Sequence, residues 1–210
     1  MRDQDSEVKP RPSACAILLA AGESSRMGQL KALLPWRGRS LLEHQVSALR
    51  EGGADRVVVV LGHRADDLRP LLEGKDGVSW TLNLDYLQGK TTSIRAGLSA
   101  LNCPALDVIL LLNVDQPRDA ADIARVLEAH RAHGNAVTVP EYRGKGGHPI
   151  ALSATLLPEL LEIDEDTQGI KAVVRRRPES VQRLPLDNPG VLLDLNTPEQ
   201  YQAAVAAAGT

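Results

Sequence analysis

The stretch CAILLAAGESSRMGQLK, residues Cys15–Lys31, begins with seven apolar residues and then turns abruptly to glycine, hydroxyl and cation. An apolar run of strand length that breaks into such a turn, with a helical pattern after it, marks the start of an α/β unit. The loop itself carries two readings. Gly22 and Gly28 have five residues between them, so the segment fits neither G-x-G-x-x-G nor G-x-x-x-x-G-K-[ST]. What it does contain is a flexible turn from Leu19 through Ala20, Ala21, Gly22 and Glu23, hydroxyls at Ser24 and Ser25, and the cations Arg26 and Lys31. Backbone amides that face an anion, backed by hydroxyls and cations, suit a triphosphate. The other reading is a surface loop whose charges are simply solvated.

Outward from this stretch, apolar runs alternate with helical periods. SLLEHQVSALREGG predicts a helix, with Ser40 as cap, Glu43 completing a capping box, Leu42, Val46 and Leu49 on one face, and Gly52 and Gly53 as the stop. RVVVVLG, VSWTLN, DVILLLNVD, NAVTVP, PIALS, SVQRLPL and GVLLDLN read as strands. ADDLRPLLEG, TSIRAGLSAL, DAADIARVLEAHRAHG, TLLPELLE and TQGIKAVVRRR read as helices, Thr92 or Ser93 capping the second of them. A last helix opens at TPEQ, where Thr197 caps, Pro198 takes the first helical position and Gln200 completes a capping box. The expected fold is a three-layer, Rossmann-like α/β architecture: a mostly parallel sheet with helices on both faces. Residues 14–210 are expected to form one domain behind a disordered tail, residues 1–13, which is charged and proline-punctuated.

Composition removes several classes of function. A formal net charge of -3 without a basic stripe argues against a nucleic-acid partner, so any phosphate chemistry must be local. No window approaches the roughly 18 apolar residues of a membrane span, and the N-terminal segment lacks the apolar core of a signal peptide. A cytoplasmic location is the expectation. Cys15 and Cys103 lie in or beside apolar segments with no Cys or His at metal-ligand spacing, and are expected to be small buried core residues without a redox role.

In an open parallel sheet, ligands bind beyond the carboxyl ends of the strands. Four polar clusters follow predicted strands: AAGESSRMGQLK, NVDQP, GKGGHP and DLNTP. Asp115 is delivered to the sheet rim by a wholly apolar run, a suitable place for a carboxylate that holds a hard divalent cation; it could equally cap the turn before Pro117. Asp194 and Asn196 alternate with Leu195, so both face one way and either could complete the same site. His148 follows two glycines beside Pro149, in a loop where backbone can approach a ligand. Asn83 and Ser93 bring polar groups to a helix N-terminus, where capping and ligand contact are both open.

Taken together, LAAGESSRMGQLKALLPWRGRSLLEH, NLDYLQGKTTSIRAGL, NVDQP, GGHPIAL and DLNTPEQY resemble, in order and spacing, the MobA-like nucleotidyltransferases, and within them most of all the molybdenum cofactor cytidylyltransferases. The resemblance runs from about Ala14 to Ala207. It implies the nucleotide-diphospho-sugar transferase type of fold and transfer of a nucleoside monophosphate to a phosphorylated, molybdopterin-type acceptor, with release of pyrophosphate. It implies a nucleotide site of Leu19–Arg26, Lys31, Asn83 and Ser93, with Arg26, Lys31 and Asp115 as the catalytic groups. His148 and Pro149 become acceptor-binding residues. Mg²⁺ is implied as cofactor, on Asp115 with Asn196 or Asp194; Asn196 stands where an acid is usual, which leaves the second ligand open between the two. The LAAG form points to CTP over GTP. A recipient molybdoenzyme or its chaperone is the implied downstream partner. The competing readings are a guanylyltransferase, an enzyme acting on a sugar phosphate or methylerythritol phosphate, and a binding module that does not turn the nucleotide over.

Overall fold

The computed structural model describes residues 12–166 and 168–208. Most of the segment read as a disordered tail therefore lies outside the described residues, while Ser13 already belongs to the first strand. Eight consecutive buried residues form β1 (Ser13–Ala20), a central strand covered on both faces. A short hairpin, β2 (Pro35–Trp36) and β3 (Arg39–Ser40), leads into α1 (Leu41–Glu51). As the sequence predicts, the Ser40 hydroxyl accepts from the Glu43 N–H and the Glu43 carboxylate accepts from the Ser40 N–H. The chain continues through β4 (Arg56–Leu61), α2 (Ala65–Leu68), β5 (Val78–Leu82), α3 (Lys90–Ser99), β6 (Leu106–Asn113) and α4 (Ala120–His133). Then come β7 (Val137–Tyr142), β8 (Lys145–Gly146), β9 (Ile150–Ser153), α5 (Leu157–Leu161), α6 (Ile170–Arg175), β10 (Val181–Pro185) and α7 (Pro198–Ala208).

The main sheet runs β10-β7-β9-β6-β1-β4-β5, with β8 paired to β7. β1, β4, β5 and β6 are mutually parallel, β10 is parallel to β7, and β9 runs antiparallel between β6 and β7. Because side chains alternate across a strand, β1 feeds two cores. Ala14, Ala16, Leu18 and Ala20 pack with α1 and α4 on one face. Ile17 and Leu19 pack with α3, α5 and Val173 of α6 on the other. These are the three layers the sequence predicts. A third cluster seats α7 on the hairpin through Trp36, Leu41, Leu195 and Ala204. Gly97 lets α3 lie close to the sheet: a Cβ there would stand 2.5 Å from Ile17 Cγ2 and 2.9 Å from Val60 Cγ2.

Four local expectations are corrected. GVLLDLN does not form a strand: Pro189 suits the first turn of a 3-10 helix, Pro189–Leu192, capped by Asn188, whose side chain accepts from the Gly190 N–H. Residues 193–196 then run on without a ladder partner, tied by the Leu195 N–H to the Asp115 carbonyl. The alternation survives, since Leu195 is fully buried and Asp194 exposed. Cys15 is a buried core residue but Cys103 is only half-buried, and the two are not mere packing groups: they form a disulfide, their Cα atoms 6.6 Å apart across 88 residues of sequence. Packing of α3 and its following loop against β1 brings them together, which no spacing rule reveals. Thr92 and Ser93 do not cap α3; the cap lies three residues before Thr92, at Gly89, whose φ of 123° suits glycine. At the last helix Gln200 accepts from the Asn196 N–H rather than that of Thr197, so the reciprocal half of the box is shifted by one residue. Among the described residues no helix is long and apolar enough to cross a membrane.

Candidate functional site

A cleft of about 460 Å³ opens at the carboxyl ends of β1 and β6. One wall is the backbone of Leu19, Ala20, Ala21 and Gly22 leaving β1, with Ser24 beyond it. Ser24 adopts a left-handed conformation (φ 57°), and its hydroxyl accepts from the Lys31 N–H at 3.1 Å, which closes the glycine loop and anchors the base of Lys31. The floor is built by charge. Lys31 Nζ donates to Asp115 Oδ2 at 2.8 Å and to Asn196 Oδ1 at 3.1 Å. The lysine side chain is 11% exposed and the aspartate 25%. Residues separated by 84 and 165 positions thus converge on one ammonium.

Behind the floor lies a polar scaffold that sequence reasoning missed. Gln45, fully buried on α1, donates to the carbonyls of Asn113 and Gln116 and accepts from the Arg118 N–H. The Gln116 side chain accepts from Asn113 Nδ2 at 2.7 Å and donates to Asp194 Oδ1 at 2.7 Å. Arg118 is 2% exposed; its guanidinium donates to the carbonyls of Pro117, His148, Val191 and Leu193 at 2.7–2.9 Å. Burial lowers its pKa to about 10, with Asp194 and Asp122 opposing that shift. The arginine staples three chain segments, including the one that presents Asp194 and Asn196. The available sequence signal was faint: a polar residue inside the apolar face of α1, and a cation directly after NVDQP.

The opposite wall is the N-terminal turn of α3, with Tyr86, Gly89, Lys90 and Ser93 facing the cleft. Asn83 is buried beneath it, donating to Thr92 Oγ1 and Ser93 Oγ at 2.9 Å each. It shapes the wall and does not line the cleft. Glu165 accepts from the Thr91 N–H at 2.6 Å, so a carboxylate already satisfies one free amide of this helix end. Lys90 was also missed. It retains an open surface, yet enclosure by the cleft walls lowers its pKa, while Asp115, Asp194 and Glu165 oppose the shift.

Of the expected site residues, the cleft brings together Leu19, Ala20, Ala21, Gly22, Ser24, Lys31, Ser93, Asp115, Asp194 and Asn196. Glu23 and Ser25 line a neighbouring depression, and Arg26 is exposed on the 3-10 helix Ser25–Met27. His148 and Pro149 stand behind the Arg118 staple, where burial first, then Lys90 and Arg118, push the His148 pKa down to about 3. The donor set suits a hard cation: an ammonium already stands between a carboxylate and an amide oxygen, the ligand chemistry that Mg²⁺ and Mn²⁺ take. No group of three or more His, Cys, Asp or Glu placed to hold a metal ion occurs among the described residues, so any cation here would rest on a mixed carboxylate and amide set.

Comparison with known proteins agrees with this architecture. The MobA-like NTP transferase domain matches residues 16–181. The chain is 29% identical over 188 residues to the molybdenum cofactor cytidylyltransferase of Escherichia coli (strain K12), spanning 90% of this chain and 93% of that one. It is 32% identical over 199 residues to the nicotine blue oxidoreductase of Paenarthrobacter nicotinovorans, spanning 90% and 95%. Among solved structures, a nucleotidyl transferase from Methanothermobacter thermautotroptrophicus superposes with a TM-score of 0.79 at 26% identity, covering 93% of this chain and 97% of that one.

Proposed function

The chain belongs to the MobA-like NTP transferase family and is a nucleotidyltransferase; from that premise we propose that it transfers CMP from CTP to the terminal phosphate of a molybdopterin-type acceptor, releasing pyrophosphate. The observation that carries this reading is the Lys31 ammonium held between Asp115 and Asn196 at the floor of a cleft walled by the glycine loop.

In-line attack by an acceptor phosphate on the α-phosphorus asks a protein chiefly for position and charge. Lys31 neutralises the charge that builds on the α-phosphate in the transition state. Amides and hydroxyls of Gly22–Ser25 hold the outer phosphates, with Arg26 gripping them from the loop. Asp115 and Asn196 hold Mg²⁺, which supplies neutralising charge to phosphate oxygens when bound. Asp194 lines the same cleft with one oxygen engaged by Gln116, which makes Asn196 the favoured second ligand and Asp194 the alternative. No general base is needed, because a phosphate monoester is already anionic near neutral pH. A neutral His148 in the Arg118-stapled wall, with Pro149, seats the acceptor. Ala21 in the LAAG turn favours the smaller base, and a recipient molybdoenzyme or its chaperone collects the product.

The test is pyrophosphate release over the four ribonucleoside triphosphates, with and without molybdopterin-bound molybdate. Release with CTP that depends on this acceptor is the expected result. Release with GTP, or with a sugar phosphate as acceptor, would replace the substrate assignment, and saturable CTP binding without release would overturn the reaction.

A further inference from the structure

The point between Asp115 Oδ2 and Asn196 Oδ1 is already taken by a cation of the chain's own, Lys31 Nζ at 2.8 and 3.1 Å. We propose that Lys31 keeps the divalent-cation site closed until a triphosphate draws its ammonium away, so that metal and nucleotide enter as mutually dependent ligands. The proposal rests on the reading of Asp115 and Asn196 as the metal's ligands.

Mg²⁺ or Mn²⁺ must approach these oxygens to about 2.1 Å and carries its own waters. An ammonium hydrogen-bonded to both oxygens occupies that space and adds like-charge repulsion. Lys31 has little freedom to step aside unaided. Its N–H is tied to Ser24, it begins a 3-10 helix, and its side chain is only 11% exposed, so bulk water is a poor alternative partner. The alternative within reach is an anion in the cleft. A bound triphosphate offers one, and as the ammonium turns to it the two oxygens become available to the metal. Coupling of this kind is reciprocal: whatever factor the nucleotide adds to metal affinity, the metal adds to nucleotide affinity.

Lys90 separates specific competition from a general field effect. It lines the same cleft and feels Asp115 and Asp194, but among the described residues it forms no hydrogen bond to either candidate ligand oxygen. Removing Lys31 should open the site, whereas removing Lys90 should only soften the field.

Mn²⁺ binding to the nucleotide-free protein, read by electron paramagnetic resonance, tests this in wild type, Lys31→Met, Lys90→Met and Asp115→Asn. Lys31→Met is expected to bind Mn²⁺ about tenfold or more tightly than wild type, the scale of one charge-assisted hydrogen bond that no longer has to break. Lys90→Met should gain under about threefold, and Asp115→Asn should lose binding. Equal affinity of Lys31→Met and wild type, or equal gains from the two lysine variants, would overturn the competition while leaving the metal site standing. Absence of Mn²⁺ binding to wild type, Lys31→Met and Lys90→Met alike, even with a non-reacting CTP analogue, would overturn the metal site and the competition together. Should Lys31→Met fail to fold, the wild type supplies the readout: the Lys31 Nζ resonance must shift on addition of Mg²⁺ with the analogue, and a resonance unmoved by both refutes the proposal.

Discussion

Replacing Arg118 by Met is the sharpest test of how the site is built. The guanidinium lies 2% exposed and donates to four carbonyls that belong to Pro117, His148, Val191 and Leu193. Methionine fills much of the same volume but donates nothing. The Val191 carbonyl keeps the His148 N–H, so three carbonyls lose their partner; each costs about 1 kcal/mol or more, about 3 kcal/mol together. Relief from burying a cation returns part of this, for Arg118 already titrates near 10 because of burial. The net expectation is a loss of about 2 kcal/mol, a sizeable share of the 5–15 kcal/mol that holds a typical domain together. For a chain of this size that corresponds to a fall of roughly 4–8 °C in Tm. Urea unfolding followed by circular dichroism, with pyrophosphate release measured well below the midpoint, reads both consequences. Folded Arg118→Met should still lose turnover, because the segment that presents Asp194 and Asn196 is no longer tied to the wall. Arg118→Lys, with three donors on one nitrogen, should recover only part of the stability. An unchanged unfolding midpoint in Arg118→Met would refute the staple.

Other perturbations probe separate links. Lys31→Ala and Asp115→Ala should keep the fold yet each lower the rate of pyrophosphate release about a hundredfold, the usual cost of one charge-stabilising group; near-normal rates would remove both from the chemistry. Gly97→Val should destabilise by about 1–3 kcal/mol in chemical denaturation, since its Cβ meets Ile17 and Val60 in a packed interface. His148, neutral with a pKa near 3 in the fold, binds its proton far more readily once unfolded. The unfolded state therefore holds more protons between pH 3 and 6.5, and stability present above pH 6.5 falls as the solution is acidified. From pH 6.5 to 5 this group alone should cost about 2 kcal/mol; His148→Gln should flatten that limb of the stability profile, and an unaltered limb would show that the ring is not enclosed.

Legibility followed the range of the forces involved. The strand at Cys15–Ala20, the capping box at Ser40 and Glu43, and the glycine stop of α1 at Gly52 rest on contacts within a few residues, so composition and period suffice for them. GVLLDLN misled because its apolar alternation is shared by a strand and by a segment whose Leu195 is buried from a loop; Pro189 was the signal against a ladder. Gln45 and Arg118 escaped notice because a buried polar side chain is recognised by its partners, and those lie 65 or more residues away in most of their bonds.

From the chain alone came the alternation of strands and helices, the polar clusters that follow the strands, and the phosphate-suited chemistry of residues 19–31. Hydrophobic period and turn chemistry are local properties written residue by residue. Only the folded chain decided that Lys31 reaches Asp115 and Asn196, that Asp194 is engaged by Gln116, and that Cys15 meets Cys103. The same held for β9, which runs antiparallel between β6 and β7. Pairings of this kind depend on where parallel strands and their crossings place distant segments in space, and a side chain's neighbours across a sheet rim leave no trace in its neighbours along the chain.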